Sequence, residues 1–371
     1  MHTFKHLFEK IDKDAVLKAI NDASKGGRKK RRKDTREALL NPSEYADAIL
    51  KELKDFKNDH HKPKEIYDGI SRKKRTIVVP TFREQVIHHI LVNALKPMFL
   101  RGIYEHAYGS IPNRGIHDAK KAVERWIHKD HDNTVYVLKM DIRKYFESIP
   151  HDILKAKLST EIKDEIILRI LFEVIDAIEV GLPLGFYTSQ WISMWYLKGL
   201  DHFVKEQCHV EHYIRYMDDM VVFGNNKENL HFIQQRIEDY LDCLGLKLNQ
   251  KTQIFPIEKR DLDFMGFRFF RNRTILRKTI FYKMLRKARR ISQKPKITIY
   301  DMRQMLSYLG WIKSTSVYEI YLTYIKPFVN FGKFKSIISS YDRRLKKWNG
   351  HIFMRLAKSR RSMMNHHITQ C

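Results

Sequence analysis

Three aspartates carry the strongest chemical signal in this chain. Asp141 ends the apolar run Val135-Tyr-Val-Leu-Lys-Met, and Asp218-Asp219 lie inside His212-Tyr-Ile-Arg-Tyr-Met-Asp-Asp-Met-Val-Val-Phe-Gly224. Transfer of a phosphoryl group asks a protein for positioning and charge neutralisation, which a pair of Mg²⁺ ions about 4 Å apart supplies. Mg²⁺ is a hard ion that prefers carboxylate oxygens, so at least two acidic side chains must converge on it. The commonplace reading makes Asp141 a helix cap and Asp218-Asp219 a polar turn. The flanks argue against it, because both sites are framed by strand-forming apolar residues.

The elements that would bring these acids together can be read from pattern. Residues 135–141 read as a strand ending on a carboxylate, and 212–224 as a hairpin with its acids at the tip. Leu230, Ile233, Ile237, Leu241 and Leu244 recur at helical spacing, closed by Gly245. Upstream, residues 1–60 read as helices broken by the basic stretch Lys25–Lys33, which suits an RNA-contacting loop or a nuclear localisation signal. Residues 72–80 read as a basic turn feeding a short strand. Residues 83–98 read as a helix ended by Pro97, and Tyr108–Gly115 as a Gly- and Pro-bearing loop. From about Ile275 the chain is basic and mostly helical. Strands and helices mix without regular β-α-β alternation, so the expected class is α+β with an antiparallel sheet.

Composition narrows the partners. The chain has 371 residues, 43% of them hydrophobic and 12% aromatic, enough for two or three packed units rather than a disordered chain. Seventy Lys and Arg oppose 43 Asp and Glu, a net charge of +27. Any one basic run is ordinarily a solvated face. Five of them, at 28–33, 72–75, 283–290, 343–347 and 358–361, point to nucleic acid. Three scattered cysteines make neither a disulfide framework nor a zinc ribbon. No apolar stretch is long enough to span a membrane, and no secretory leader is visible, so the expected location is the cytosol.

With these residues in view, the chain resembles a reverse transcriptase. Tyr216-Met-Asp-Asp219 is the family's Tyr-x-Asp-Asp box, and Asp141-Ile-Arg-Lys-Tyr-Phe146 is similar to its first catalytic strand and turn. The ordered motifs cover roughly residues 65–270. The resemblance implies a right-hand polymerase fold: an N-terminal helical extension (1–64), fingers (65–134), palm (135–270, with a fingers insertion around 155–180) and a basic helical thumb (271–371). It implies Asp141 and Asp218 as main metal ligands for two Mg²⁺ ions, with Mn²⁺ as a substitute, Asp219 in support and the Ile142 carbonyl as a further ligand. Phe146 matches the aromatic that excludes a ribose 2′-hydroxyl. Arg75, and more weakly Lys73, match the grip on the incoming triphosphate, a task that suits guanidinium donors. Lys251 matches the lysine that protonates leaving pyrophosphate. Phe264, Met265 and Gly266 match the primer grip. The implied partners are an RNA template, a DNA or RNA primer and dNTPs.

The segment expected beneath the template–nucleotide pair reads Leu184-Gly185-Phe-Tyr-Thr-Ser189-Gln190. Most relatives carry Gln-Gly-x-x-x-Ser-Pro there. Leu184 and Gln190 resemble the enzymes of diversity-generating retroelements, which copy template adenines with errors. That class implies a small basic accessory protein and possibly a structured non-coding RNA. Antiviral reverse transcriptases and group II intron-like enzymes share much of the plan, and Arg83-Glu-Gln replaces the Asp-Arg of many relatives. The residues after Arg271 suffice for a thumb but not for a nuclease domain. A silent RNA-binding scaffold would have no use for three clustered acids, and an RNA-making polymerase is disfavoured by Phe146. Cys208, His209 and His212 are expected to be structural, His88-His89 to pack or touch RNA, and Trp191 and Trp195 to be buried. Tyr308 and Trp311 are the stacking candidates, with core packing the leading expectation.

Overall fold

A computed structural model describes residues 3–25, 32–58, 61–67, 74–313, 315–316 and 318–344. Lys73, the basic break at 26–31 and the last two basic runs from residue 345 onward lie outside the described residues. The chain divides into two compact units, Met1–Met265 and Gly266–Cys371.

The first unit opens with three helices, α1 (Lys13–Ala23), α2 (Lys33–Leu40) and α3 (Pro42–Glu52). Asp12 caps α1 by accepting the Ala15 amide at 2.8 Å. A two-stranded antiparallel ribbon follows, β1 (Lys62–Tyr67) with β2 (Lys74–Val79). Next comes α4 (Phe82–Leu100), started by a Thr81/Glu84 capping box. Pro97 does not end α4; it sits inside the last turn and the helix runs three residues further. Helix α4 buries Val86, Ile87, Ile90, Leu91, Val92 and Leu95 and packs against α1. Its apolar residues point nearly all round, as expected of a helix surrounded by protein.

The remaining elements of this unit build a five-stranded sheet and its cover, with one last short strand, β8, outside that sheet. In chain order they are β3 (Ala107–Tyr108), α5 (Ile116–Lys129), β4 (Tyr136–Asp141), α6 (Tyr145–Ser148), α7 (His151–Glu161), α8 (Glu165–Ile175), α9 (Tyr187–Tyr196) and α10 (Lys198–His202). A π-helical turn (Phe203–Gln207) precedes β5 (His212–Tyr216), β6 (Asp219–Gly224), α11 (Lys227–Cys243), β7 (Gln253–Pro256) and β8 (Leu262–Phe264). The sheet order is β3-β5-β6-β4-β7, antiparallel except for β3 beside β5. Helix α5 contacts β5, and α11 contacts β4, β6 and β7. Met220, Val221, Val222 and Phe223 of β6 are all buried, which requires cover on both faces. Asn226 caps α11, and Gly245 terminates it at φ +67. The expected strand, hairpin and helix of the acid-bearing region all form.

The second unit pairs β9 (Phe267–Phe269) with β10 (Thr274–Leu276). It continues with α12 (Lys278–Ser292), α13 (Ile299–Lys313), α14 (Tyr318–Tyr324) and a helical stretch at 331–344. Ile280, Met284, Leu285, Ala288 and Ile291 form the buried stripe of α12, leaving its arginines and lysines on the other side. Trp311 stacks obliquely on Phe267, 5.0 Å between centroids, and its ring would lie 3.1 Å from a Cβ on Gly266. Packing therefore accounts for Trp311.

Candidate active site

Sheet register brings the acids together. Asp141 ends β4 opposite Asp219, the first residue of β6. Such partners lie about 5 Å apart at Cα. Tyr216 also pairs with Asp219, so Met217 and Asp218 form a two-residue hairpin loop. Asp218 is half-buried, and its carboxyl is pushed up to about 7. Burial is the main cause, followed by the charges of Asp219 and Asp141; its own backbone amide and Arg75 pull it down. Three mutually repelling carboxylates make a donor set that suits a hard divalent cation, which would relieve the repulsion. The Ile142 carbonyl fits the same task. Asn249 N–H donates to the Asp141 carbonyl at 2.7 Å, and Arg143 N–H to Lys247. Alternation along the strand then points the intervening Ile142 carbonyl to the β6 side.

Two arrangements that the motifs did not reveal hold these acids. Asn249 donates from Nδ2 to Asp141 Oδ2 at 3.1 Å, so the turn after α11 fixes that carboxylate as well as its backbone. The second is Arg215, whose side chain is fully buried. Its Nε and Nη2 donate to the two oxygens of Asp201 at 2.6 and 2.5 Å, and its Nη1 donates to the Met217 carbonyl at 2.9 Å. Tyr213 also donates its hydroxyl to Asp201. Met217 sits at φ +58, a left-handed conformation that costs a side-chain-bearing residue about 1–2 kcal/mol. A hydrogen bond from a charged group contributes about 1.5–3 kcal/mol, enough to outweigh that cost. Met217 N–H further donates to the Tyr108 carbonyl, and the Met217 side chain fills the space where a Gly109 Cβ would stand. A buried arginine inside an apolar strand was the visible hint. Its partner, fourteen residues earlier, carried no local mark.

The other candidate residues are placed as follows. Phe146 in α6 is half-buried rather than a sealed core aromatic, and its carbonyl accepts from Leu182 N–H at 2.6 Å. Leu184 is half-buried, and its carbonyl accepts from Val78 N–H of β2 at 2.6 Å. Gly185, at φ +111, passes so close to β2 that an added Cβ would lie 2.5 Å from the Val78 carbonyl oxygen. The segment 182–185 thus bridges the Phe146 turn and the strand bearing Arg75. Gln190 is exposed on α9. Lys251 is exposed on the turn that Asn249 ties to Asp141. Phe264 is buried at the end of β8; Met265 has φ +53 and Gly266 has φ +86, both left-handed.

Away from the acids, Asp130, Glu211 and His212 offer ligand atoms within 4.8 Å of one another. Asp130 there accepts from Asn133, and His212 stacks on Trp126, so both already have structural roles. This group stands at the start of β5, four residues from Tyr216, and Cys208 is not in it. His88 is fully buried against Phe186, which decides for packing, and burial lowers its pKa to about 3. Trp191 and Trp195 are buried. Among the described residues, no helix is long and apolar enough to cross a membrane.

YkfC of Escherichia coli is 23% identical over 247 residues, 54% of this chain and 65% of its own length. The 91 kDa protein in the cob intron of Schizosaccharomyces pombe is 27% identical over 150 residues, 38% of this chain and 18% of that protein. The group II intron-encoded protein LtrA of Lactococcus lactis is 24% identical over 144 residues, 36% of this chain and 23% of LtrA. The chain therefore spans less than two thirds of each. Two solved structures of apo telomerase from Candida tropicalis align with TM-scores of 0.43 and 0.45 at 17% and 13% identity. They cover 57% and 66% of this chain, and 53% and 51% of theirs. The description of reverse transcriptases (RNA-dependent DNA polymerases) matches residues 58–269, more than half of the chain and inclusive of all three aspartates. The chain belongs to the reverse transcriptase family.

Proposed function

We propose that the protein extends a DNA or RNA primer along an RNA template with deoxynucleotides, in the manner of a two-metal polymerase. The observation that carries this reading is the register of Asp141 opposite Asp219, with Asp218 at the hairpin tip beside them. Bound there, divalent cations would neutralise charge on the triphosphate and the attacking 3′-oxygen. Asp141, Asp218 and the Ile142 carbonyl are the groups to hold them. Arg75 grips the triphosphate, opposing the charge of the acids as it already does for Asp218. Phe146 stands under the sugar, Lys251 donates a proton to the leaving pyrophosphate, and Phe264, Met265 and Gly266 support the primer end. Residues 65–134, 135–270 and 271–371 serve as fingers, palm and thumb.

Primer extension on an RNA template, with dNTPs and NTPs in separate reactions, tests this directly. Incorporation of dNTPs should vanish in Asp218→Asn, falling by at least about a thousandfold as several kcal/mol of charge stabilisation are lost. Full incorporation after that change would refute the reading.

The finer class we propose is the diversity-generating retroelement enzyme, supported by Leu184, Gly185 and Gln190 in the segment under the template. Its partners would be a template RNA and a small basic accessory protein or structured non-coding RNA. A group II intron-like role is the second reading, favoured by the likeness to LtrA and to the cob-intron protein. Near-identical repeats beside the coding region that differ at adenines would decide for the first; a flanking self-splicing intron would decide for the second.

A further inference from the structure

We propose that Asp201 and Arg215 are positioning residues that fix the acid-bearing turn for cation binding. The inference rests on the polymerase reading of that turn. Arg215 is the fourth residue of β5 and Met217 the first residue of the loop, so one guanidinium spans from strand to turn. Two of its donors are taken by Asp201, which fixes the plane of the fork; the third reaches the Met217 carbonyl. That peptide link leads directly into Asp218. Asp201 is anchored independently, because its helix α10 leads into the π-helical turn and the Tyr213 hydroxyl shares its Oδ1. Tyr104 in turn donates to the Tyr213 carbonyl at 2.9 Å, tying the loop before β3 to the same cluster.

A buried ion pair alone is weak evidence for any special role, since apolar residues of similar volume often replace one without loss of stability. What sets this pair apart is the third bond. A purely structural pair has no need to hold the carbonyl of a left-handed residue next to the acids. A lysine would lack the forked geometry needed to reach both Asp201 oxygens and the carbonyl.

The test uses two variants. Arg215→Gln removes the clamp but leaves Asp201 charged and buried, so it risks misfolding. Asp201→Leu combined with Arg215→Met and Tyr213→Phe removes the ion pair and the hydroxyl that shares it, and orphans no buried charge; Tyr104 keeps its bond to the Tyr213 carbonyl. In the triple variant we expect cooperative melting to persist and amide exchange across residues 216–219 to accelerate without any metal present. We expect kcat for dNTP incorporation to fall roughly tenfold to a hundredfold, the effect of losing one charge-assisted hydrogen bond. Primer–template Kd should stay within about twofold, far below that change. The proposal is overturned by a folded triple variant with wild-type kcat and exchange. Equal losses of kcat and primer–template affinity also overturn it, as does a triple variant that no longer folds, since each marks the cluster as structural. Failure of the wild-type chain to incorporate any nucleotide would instead defeat the polymerase reading, while the exchange measurement would still judge the clamp.

Discussion

Val78 and Leu184 are joined by one backbone hydrogen bond of 2.6 Å, the Val78 amide donating to the Leu184 carbonyl. Val78 lies three residues beyond Arg75 on the same strand, and Leu184 lies two residues beyond the Leu182 amide that binds the Phe146 carbonyl. The strand that carries Arg75 and the turn that carries Phe146 are therefore linked through three residues of main chain, Leu182 to Leu184. A change at this segment is felt on both sides, at β2 and at the Phe146 turn.

Gly185→Ala should expose that link. The added methyl meets the Val78 carbonyl at 2.5 Å, and the backbone there has φ +111, so β2 must give way. Strain of about 1–2 kcal/mol displaced onto the strand would raise the KM for dNTP about tenfold. Steady-state kinetics with varied dNTP checks it; an unchanged KM would show that β2 absorbs the methyl without moving Arg75.

Leu184→Gln tests the error-prone reading at a neighbouring side chain. Leucine offers no hydrogen bond to the nucleotide, whereas glutamine could supply one and tighten geometric selection. Misincorporation opposite template adenine should fall about tenfold, the worth of roughly one hydrogen bond. Sequencing of cDNA products gives the count, and an unaltered spectrum speaks against this role for Leu184.

Phe146→Ala should relax sugar selection. The ring is half-buried, contacting Tyr145 edge-on at 5.6 Å, so its loss opens space without emptying the core. Discrimination between dNTP and NTP should drop by at least about tenfold, since it rests on a steric clash worth more than 1.4 kcal/mol. Competition between the two nucleotide pools measures it, and the melting temperature should change little.

The second unit carries a pH-dependent contribution of its own. Lys294 donates to both oxygens of Asp301 at 2.8 Å, and Thr298 completes a capping box at the start of α13. Hydrogen bonds from Lys294 and then Thr298 lower the Asp301 carboxyl to about 2, against the opposing effect of burial. A folded pKa below the unfolded value means the stabilisation is complete above about pH 4 and fades as pH falls toward 2. Asp301→Asn should destabilise this unit at pH 6 and be nearly neutral at pH 2. Urea melts monitored by Trp311 fluorescence across that range provide the comparison.

Much of the site was legible from residue order because its parts are local. A strand that ends on Asp141, a hairpin of apolar arms around Asp218-Asp219 and a capped helix closed by Gly245 each follow from short-range pattern. So does the expectation of a basic, mostly helical chain from about Ile275 onward. What short-range pattern cannot carry is the choice of partner between distant segments. That Asp141 faces Asp219, that Asn249 returns to hold Asp141, and that Asp201 supports Arg215 beneath Met217 depend on sheet order and on buried polar groups finding each other. Residue order alone limited which chemistry was possible. Only tertiary packing decided which backbone and side-chain groups hold the three carboxylates in place, because a buried donor is satisfied by proximity in space and leaves no fixed spacing along the chain.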